Sequence, residues 1–229
     1  MDTAQSSAAP PLSLFPTPVF CQPLADTERL NHELIALVQS LYQQQPSVQR
    51  SNVGGWQSAK DLQNNPAPAI QAFLAQSRAV LSDWAMLTFA LHTRPDPAMW
   101  WFALWANVNR PGHYNRAHDH FRSGQIGSSF YYVRTGGNQA GGRTVFINQQ
   151  SVPHFVDCEV GWRDHEYPVT PQDGMLVVFP SWLGHRVEPY TGDGDRITLA
   201  FNAGHPDLPV RRRGDRPLPP WLKRLLGRA

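Results

Sequence analysis

Hydrophobic positions fall in two textures along this chain. Between residues 26 and 45, Leu30, Leu34, Leu37, Val38 and Leu41 recur at three- and four-residue spacing, and Pro46 ends the run. That period predicts a helix with one buried face. Asn65 before Pro66 is capping chemistry for a second helix, whose buried stripe is Ile70, Phe73, Leu74, Leu81, Trp84, Leu87 and Leu91. Such stripes pack cores. After Pro97, short β-branched and aromatic runs at 100–109, 128–134, 143–147, 175–179, 185–189 and 196–202 alternate with Gly, Pro and Asn clusters. These predict strands. Two helices followed by many short strands is an α+β order, with the helices packed on one sheet of an antiparallel sandwich or jelly roll. The chain holds no internal repeat, and 149–173 reads as one long loop of the kind that often forms lids or binding loops.

Composition divides the chain into three parts. Residues 1–25, rich in Ser, Ala and Pro, read as an N-terminal extension. Residues 26–209 read as a single domain, and 210–229 as a basic tail. The tail holds seven basic residues against Asp215 alone; of the formal +2, it carries +6 and the remainder −4. A solvated tail with a short helix over 220–226 accounts for this, because no zinc finger, glycine-aromatic RNA signature or interleaved basic stripe points to nucleic acid. No run of about 18 apolar residues predicts a membrane span, and no basic-then-apolar leader predicts secretion. Cys21 and Cys158 are too few for a disulfide framework or a thiolate metal cage, so a reducing cytoplasm is the expected compartment.

The sharpest chemistry lies in His118-Asp119-His120. On a strand, residues two apart share a face, so the two imidazoles can converge as half of a metal site while Asp119 points away. Alone, that string is weak. Residues 174–185 then read as a turn, an apolar strand, a proline corner and His185, which supplies a third imidazole from a returning strand. Arg196-Ile197-Thr198 follows in a strand that is otherwise apolar. A buried guanidinium needs a counter-charge. Either a protein carboxylate or a bound dicarboxylate gripped by a bidentate fork meets that need.

Together these motifs resemble the iron(II)- and 2-oxoglutarate-dependent oxygenases. More narrowly, 51–58 (Ser-Asn-Val-Gly-Gly-Trp-Gln-Ser), 105–109, the H-x-H, 179–183 with His185, and 196–202 resemble a little-characterised microbial branch with an H-x-H…H metal motif. The likeness spans roughly residues 14–203. The 141–146 segment also resembles the Gly-Gly-Glu-Thr-x-Phe strand of prolyl-hydroxylase-like relatives, with Arg143 in place of the acid. The resemblance implies a double-stranded β-helix (jelly roll) core and an enzyme using Fe(II), 2-oxoglutarate and O2. It assigns His118, His120 and His185 to iron, and Arg196, with Thr198 beside it, to the distal carboxylate of 2-oxoglutarate. Tyr132 falls where relatives place a tyrosine on that carboxylate. Asn107 and Asn109 hold positions from which relatives reach the cosubstrate. The implied reaction is hydroxylation of a C–H bond of a small molecule or peptide, with release of succinate and CO2.

One departure is clear: His120 stands where most of the superfamily has Asp or Glu. Two other function classes fit parts of the pattern. Gly112, five residues, then His118-x-His120, with Gln125 at the glutamate position, fits a cupin motif, and Gly174, five residues, Pro180 and His185 fits much of the second. A cupin leaves Arg196-x-Thr198 unexplained. A non-catalytic metal- or ligand-sensing module would bind without turnover. Trp100, Trp101, Trp105 and Trp182 are either core or pocket, and the sequence admits a homodimer.

Overall fold

A computed structural model describes residues 16–122, 124–137, 139–148 and 166–208, so the basic tail and most of the predicted 149–173 loop lie outside the described residues. The chain runs through β1 (Phe20–Pro23), α1 (Thr27–Gln44), β2 (Asn52–Val53), β3 (Trp56–Gln57) and α2 (Pro68–Thr88). It continues through β4 (Trp101–Asn109), β5 (Tyr114–His118), β6 (Gly127–Arg134), β7 (Thr144–Ile147), β8 (Glu166–Val169), β9 (Met175–Pro180), β10 (His185–Val187) and β11 (Arg196–Gly204).

Six strands form one antiparallel sheet in the order β1-β9-β6-β11-β4-β3, and five form a second in the order β2-β5-β10-β7-β8. Apart from the pairs β3/β4 and β7/β8, strands consecutive in sequence switch between sheets, as in a jelly roll. Side-chain alternation then divides the larger sheet between two cores. Leu104, Tyr131, Leu176, Leu199 and Phe201 point one way and join Leu30, Leu34, Val38, Phe73, Leu74, Leu81 and Trp84 of the two helices in one cluster. Trp105, Tyr132, Val177 and Ala200 point the other way and meet Phe146 and Leu183 from the second sheet's side in another. With both faces covered, β11 is buried along its whole length, which is why it reads as a nearly continuous apolar run. Each large side chain sealed in these clusters contributes about 1.5–3 kcal/mol.

Several expectations shift in detail. Leu87 is 64% exposed, because it lies in the last turn of α2, beyond Ala85, the last buried residue of that helix. The second helix starts at Pro68, not Pro66, and the Asn65 Oδ1 accepts from the Ala67 N–H at 2.9 Å just before it. Residues 20–23, read as part of an extension, pair as an edge strand with β9. The stretch read as a loop to residue 173 contains β8, which pairs with β7. Both strands are four residues long and end in or contain proline, so they carry little periodic signal.

Candidate metal centre

β5 and β10 are antiparallel neighbours, and their register sets His118 directly opposite His185. The two ring centroids are 4.4 Å apart. His120 joins them from outside the strand: β5 ends at His118, and the His120 N–H donates to the Ser181 carbonyl at 2.9 Å. A bend pinned to the proline corner therefore brings His120 in, where strand alternation was expected to. Its ring lies 4.9 Å from that of His118 and 5.0 Å from that of His185. One nitrogen from each of the three lies within 4.8 Å of the others.

The backbone selects the tautomer. The Nδ1 atoms of His118 and His185 sit 2.7 Å from the Arg116 carbonyl and 3.0 Å from the Leu183 carbonyl. A carbonyl only accepts, so the hydrogen bonds assign a proton to each Nδ1 and leave Nε2 as the lone-pair donor. Burial, with the neighbouring imidazoles and Lys60 adding to it, pushes His120 down to about 2; burial and His118 push His185 down to about 3. His118 is lowered chiefly by burial. Three neutral imidazoles are the ligand form that borderline divalent metals take.

These depressed values make a stability prediction. Below the ordinary value of 6.5 the unfolded chain takes up protons that folded His120 and His185 refuse. The metal-free protein should therefore lose stability as pH falls from about 6.5 towards 3. Melting temperature against pH should show this slope, and His120→Gln/His185→Gln should flatten it. An equal slope in that variant would contradict the assignment.

The triad shares a cavity of about 450 Å3 with Arg196, Thr198 and Asn107. Arg196 is buried, and among the described residues no carboxylate forms an ion pair with it. Its guanidinium lies over the Tyr132 ring, 5.3 Å from the centroid, and its Nε has no hydrogen-bond partner. Burial lowers the guanidinium's pKa and raises that of the Tyr132 phenol. The Tyr132 hydroxyl donates to the Thr144 Oγ1 at 3.3 Å. Gly142, at φ +64°, lets the chain cross this arginine: a Cβ there would meet the Arg196 Cδ at 2.8 Å. A buried cation without a protein anion fits a carboxylate ligand.

β11 and β4 set Thr198 opposite Asn107, whose Nδ2 donates to the threonine hydroxyl at 3.3 Å. Asn109 stands opposite Arg196, but its side chain packs beside Gly55, away from the cavity lining, with a buried and unpartnered Nδ2. Arg143 turns outward to a two-pronged pair with Glu188 at 2.6 and 2.9 Å. Trp105 lines the cavity, Trp100 packs on His205, and Trp101 and Trp182 are exposed.

Arg50, Ser51, Gln57 and Lys60 also line the cavity; none was named as a site residue, although Ser51 and Gln57 lie in the 51–58 segment that resembles a loop near the site. The Ser51 hydroxyl lies 3.4 Å from His118 Nε2 and accepts from Asn115 Nδ2. The 51–58 segment forms the two-residue strands β2 and β3, too short to show any period, and Arg50 and Lys60 flank it.

Fold and site together define a double-stranded β-helix protein whose all-histidine centre shares a cavity with a buried arginine that no carboxylate pairs among the described residues. The family model for 2OG-Fe(II) oxygenases matches residues 103–202, a span that contains the triad, Asn107, Tyr132, Arg196 and Thr198. No curated protein matches the sequence. Among solved structures, a prolyl-4-hydroxylase from Pseudomonas putida is 20% identical, covering 82% of this chain and 92% of its own with a TM-score of 0.59. A Trichoplax adhaerens prolyl hydroxylase in complex with a hypoxia inducible factor peptide fragment is 13% identical, covering 82% and 84%, with a TM-score of 0.60. The α-ketoglutarate-dependent carbocyclase SnoK from nogalamycin biosynthesis is 12% identical, covering 82% and 79%, at 0.56. Sequence match and fold make this chain similar to the 2OG-Fe(II) oxygenases, the family its motifs resemble. That family implies Fe(II), 2-oxoglutarate and O2. No helix among the described residues is long and apolar enough to cross a membrane.

Proposed function

We propose that this protein is an Fe(II)- and 2-oxoglutarate-dependent oxygenase that hydroxylates a C–H bond of a small molecule or peptide. The observation that carries the proposal is Arg196: a buried guanidinium with no carboxylate partner among the described residues, lining the same cavity as three convergent histidines. His118 and His185 would hold the metal through Nε2, and His120 through a ring nitrogen. Arg196 would receive the distal carboxylate of 2-oxoglutarate. Tyr132 and Thr198 would flank it, Asn107 would orient the Thr198 hydroxyl, and Asn109 would support the Arg196 end of the strand pair.

When bound, the iron with 2-oxoglutarate and O2 supplies the oxidising power: one oxygen atom goes to succinate as CO2 leaves, the other to the C–H bond. The chain's part is orientation and exclusion of water. The backbone carbonyls behind His118 and His185 fix the imidazole planes, and the Phe130–Phe146–Phe179 cluster dries the wall beside His185. An anaerobic crystal soaked with Fe(II) and 2-oxoglutarate should show metal on the three imidazoles and a carboxylate on Arg196. Density for 2-oxoglutarate elsewhere would contradict the assignment.

His120→Asp restores the commoner two-histidine-one-carboxylate set, with a shorter side chain. Metal binding should survive and activity fall, because a site shaped for imidazole is loosened by a smaller ligand. Undiminished activity in this variant would show that the third imidazole is replaceable.

A further inference from the structure

Lys60 lines the cavity but takes no part in the metal centre or the Arg196 site. The chain has eighteen arginines but only two lysines, Lys60 and Lys223. Lys60 reaches into the cavity from just beyond β3, and its ammonium lies 4.1 Å from the centroid of the Trp105 ring. That ring is 5.8 Å from the ring of His120, so one indole separates the ammonium from the metal centre. A cation over an indole is attracted by the ring's negative face, but only by about 0.5–1 kcal/mol at an exposed site. Among the described residues no carboxylate or carbonyl accepts from this ammonium. Its charged neighbours repel it: partial burial lowers its pKa first, and Arg50 and Arg122 lower it further.

The ionic groups of the cavity are unbalanced. Arg50, Lys60, Arg122 and Arg196 face Asp119 alone. Asp119 leans towards Arg122, with 3.5 Å between them. Metal and 2-oxoglutarate, bound as proposed, bring two positive and two negative charges and leave the excess of cations as it was. A second unmet group lines the same cavity, three residues before Lys60. Gln57 is 3% exposed, lines the cavity, and its Nε2 is buried without a partner. In register it lies opposite Asn107, which lies opposite Thr198. Two strand spacings, roughly 10 Å, therefore separate Gln57 from the Arg196 strand. The two unmet groups belong to the far side of the cavity.

We propose that the primary substrate is a carboxylate, received by the Lys60 ammonium above Trp105 with the Gln57 Nε2 as second donor. The C–H bond to be oxidised then lies between this anchor and the histidine triad. The cavity, shared with a cosubstrate, suits a small free acid; an acidic peptide side chain offers the same chemistry. The anion site itself does not depend on the oxygenase reaction, whereas the fate of the bound acid does.

Because there are only two lysines, metal-free protein labelled with 13C at lysine Cε gives two lysine resonances, assigned with Lys60→Met. Phenylacetate is titrated, with phenylacetamide as its uncharged isostere and a capped glutamyl peptide as the second carboxylate source. The Lys60 resonance should shift saturably with phenylacetate and not with the amide, while that of Lys223 does not saturate. A tighter response to the peptide would assign the acid to a peptide. Gln57→Leu should weaken the response about tenfold, and Gln57→Glu, which supplies an internal carboxylate, should abolish it. Equal shifts with acid and amide, or equal responses of the two lysines, would overturn the site. So would displacement of phenylacetate by 2-oxoglutarate that is undiminished in Arg196→Leu, since Lys60 would then serve the cosubstrate. A saturable Lys60 response in a protein that forms no succinate would count against the oxygenase and leave the anion site standing.

Discussion

Replacing His185 with alanine is expected to abolish stoichiometric Fe(II) binding while leaving the fold intact. His185 is buried, opposite His118 in register, with its Nδ1 committed to a carbonyl, so its Nε2 has no other acceptor role to play. Removing it leaves two imidazoles, and a weakly held divalent metal returns to water. Disturbing a mere supporting partner of a metal ligand already costs 10- to 100-fold in affinity, so losing the ligand costs more. His118→Ala and His120→Ala should behave alike. His113 and His205 serve as controls. The His113 Nδ1 accepts from the Arg110 N–H, and His205 packs against Trp100 far from the triad. Equilibrium dialysis against Fe(II), with circular dichroism to verify folding, decides the matter. One equivalent bound at wild-type affinity in His185→Ala would remove that residue from the centre.

Arg196→Leu should keep iron and weaken 2-oxoglutarate by about 2–5 kcal/mol, the usual penalty for truncating one member of a buried, hydrogen-bonded charge pair. That is a loss of roughly 30- to 5,000-fold in affinity. The size follows from the isolation of the guanidinium: among the described residues nothing anionic sits near enough to replace the lost interaction. Leucine also relieves an unpaired buried charge, so the metal-free variant should be no less stable than the wild type. Calorimetric titration of the anaerobic iron form measures the affinity, and thermal melts of the metal-free form measure the stability. Unchanged 2-oxoglutarate affinity would overturn the role given to Arg196.

Much of this was visible in the sequence because period and burial agree there. The α1 stripe and the strands over 100–109, 128–134 and 196–202 are long enough for alternation or a continuous apolar run to show. The triad was visible because H-x-H and a distant His185 follow turn and strand signals that fix their direction. What escaped depends on pairing between distant segments. No local pattern reveals that His120 leaves the strand, since its position depends on the Ser181 carbonyl, 61 residues away. β2 and β3 are two residues each, and they bring Gln57, and Lys60 just beyond it, to the cavity only by pairing with β5 and β4. Asn107 and Asn109 share a parity, so sequence alone could not tell which one reaches the cavity. Gly55 and the register with β11 set them apart.

The central claim is that the histidine triad and Arg196 form one oxidising centre for 2-oxoglutarate. Its most direct test is succinate formation by the purified protein, loaded with Fe(II) anaerobically and started with oxygen, across a range of 2-oxoglutarate concentrations. Saturable succinate production is expected, slow without a primary substrate, dependent on both metal and oxygen, and lost in His185→Ala. Bound iron and bound 2-oxoglutarate with no succinate, even during prolonged uncoupled incubation, would contradict it.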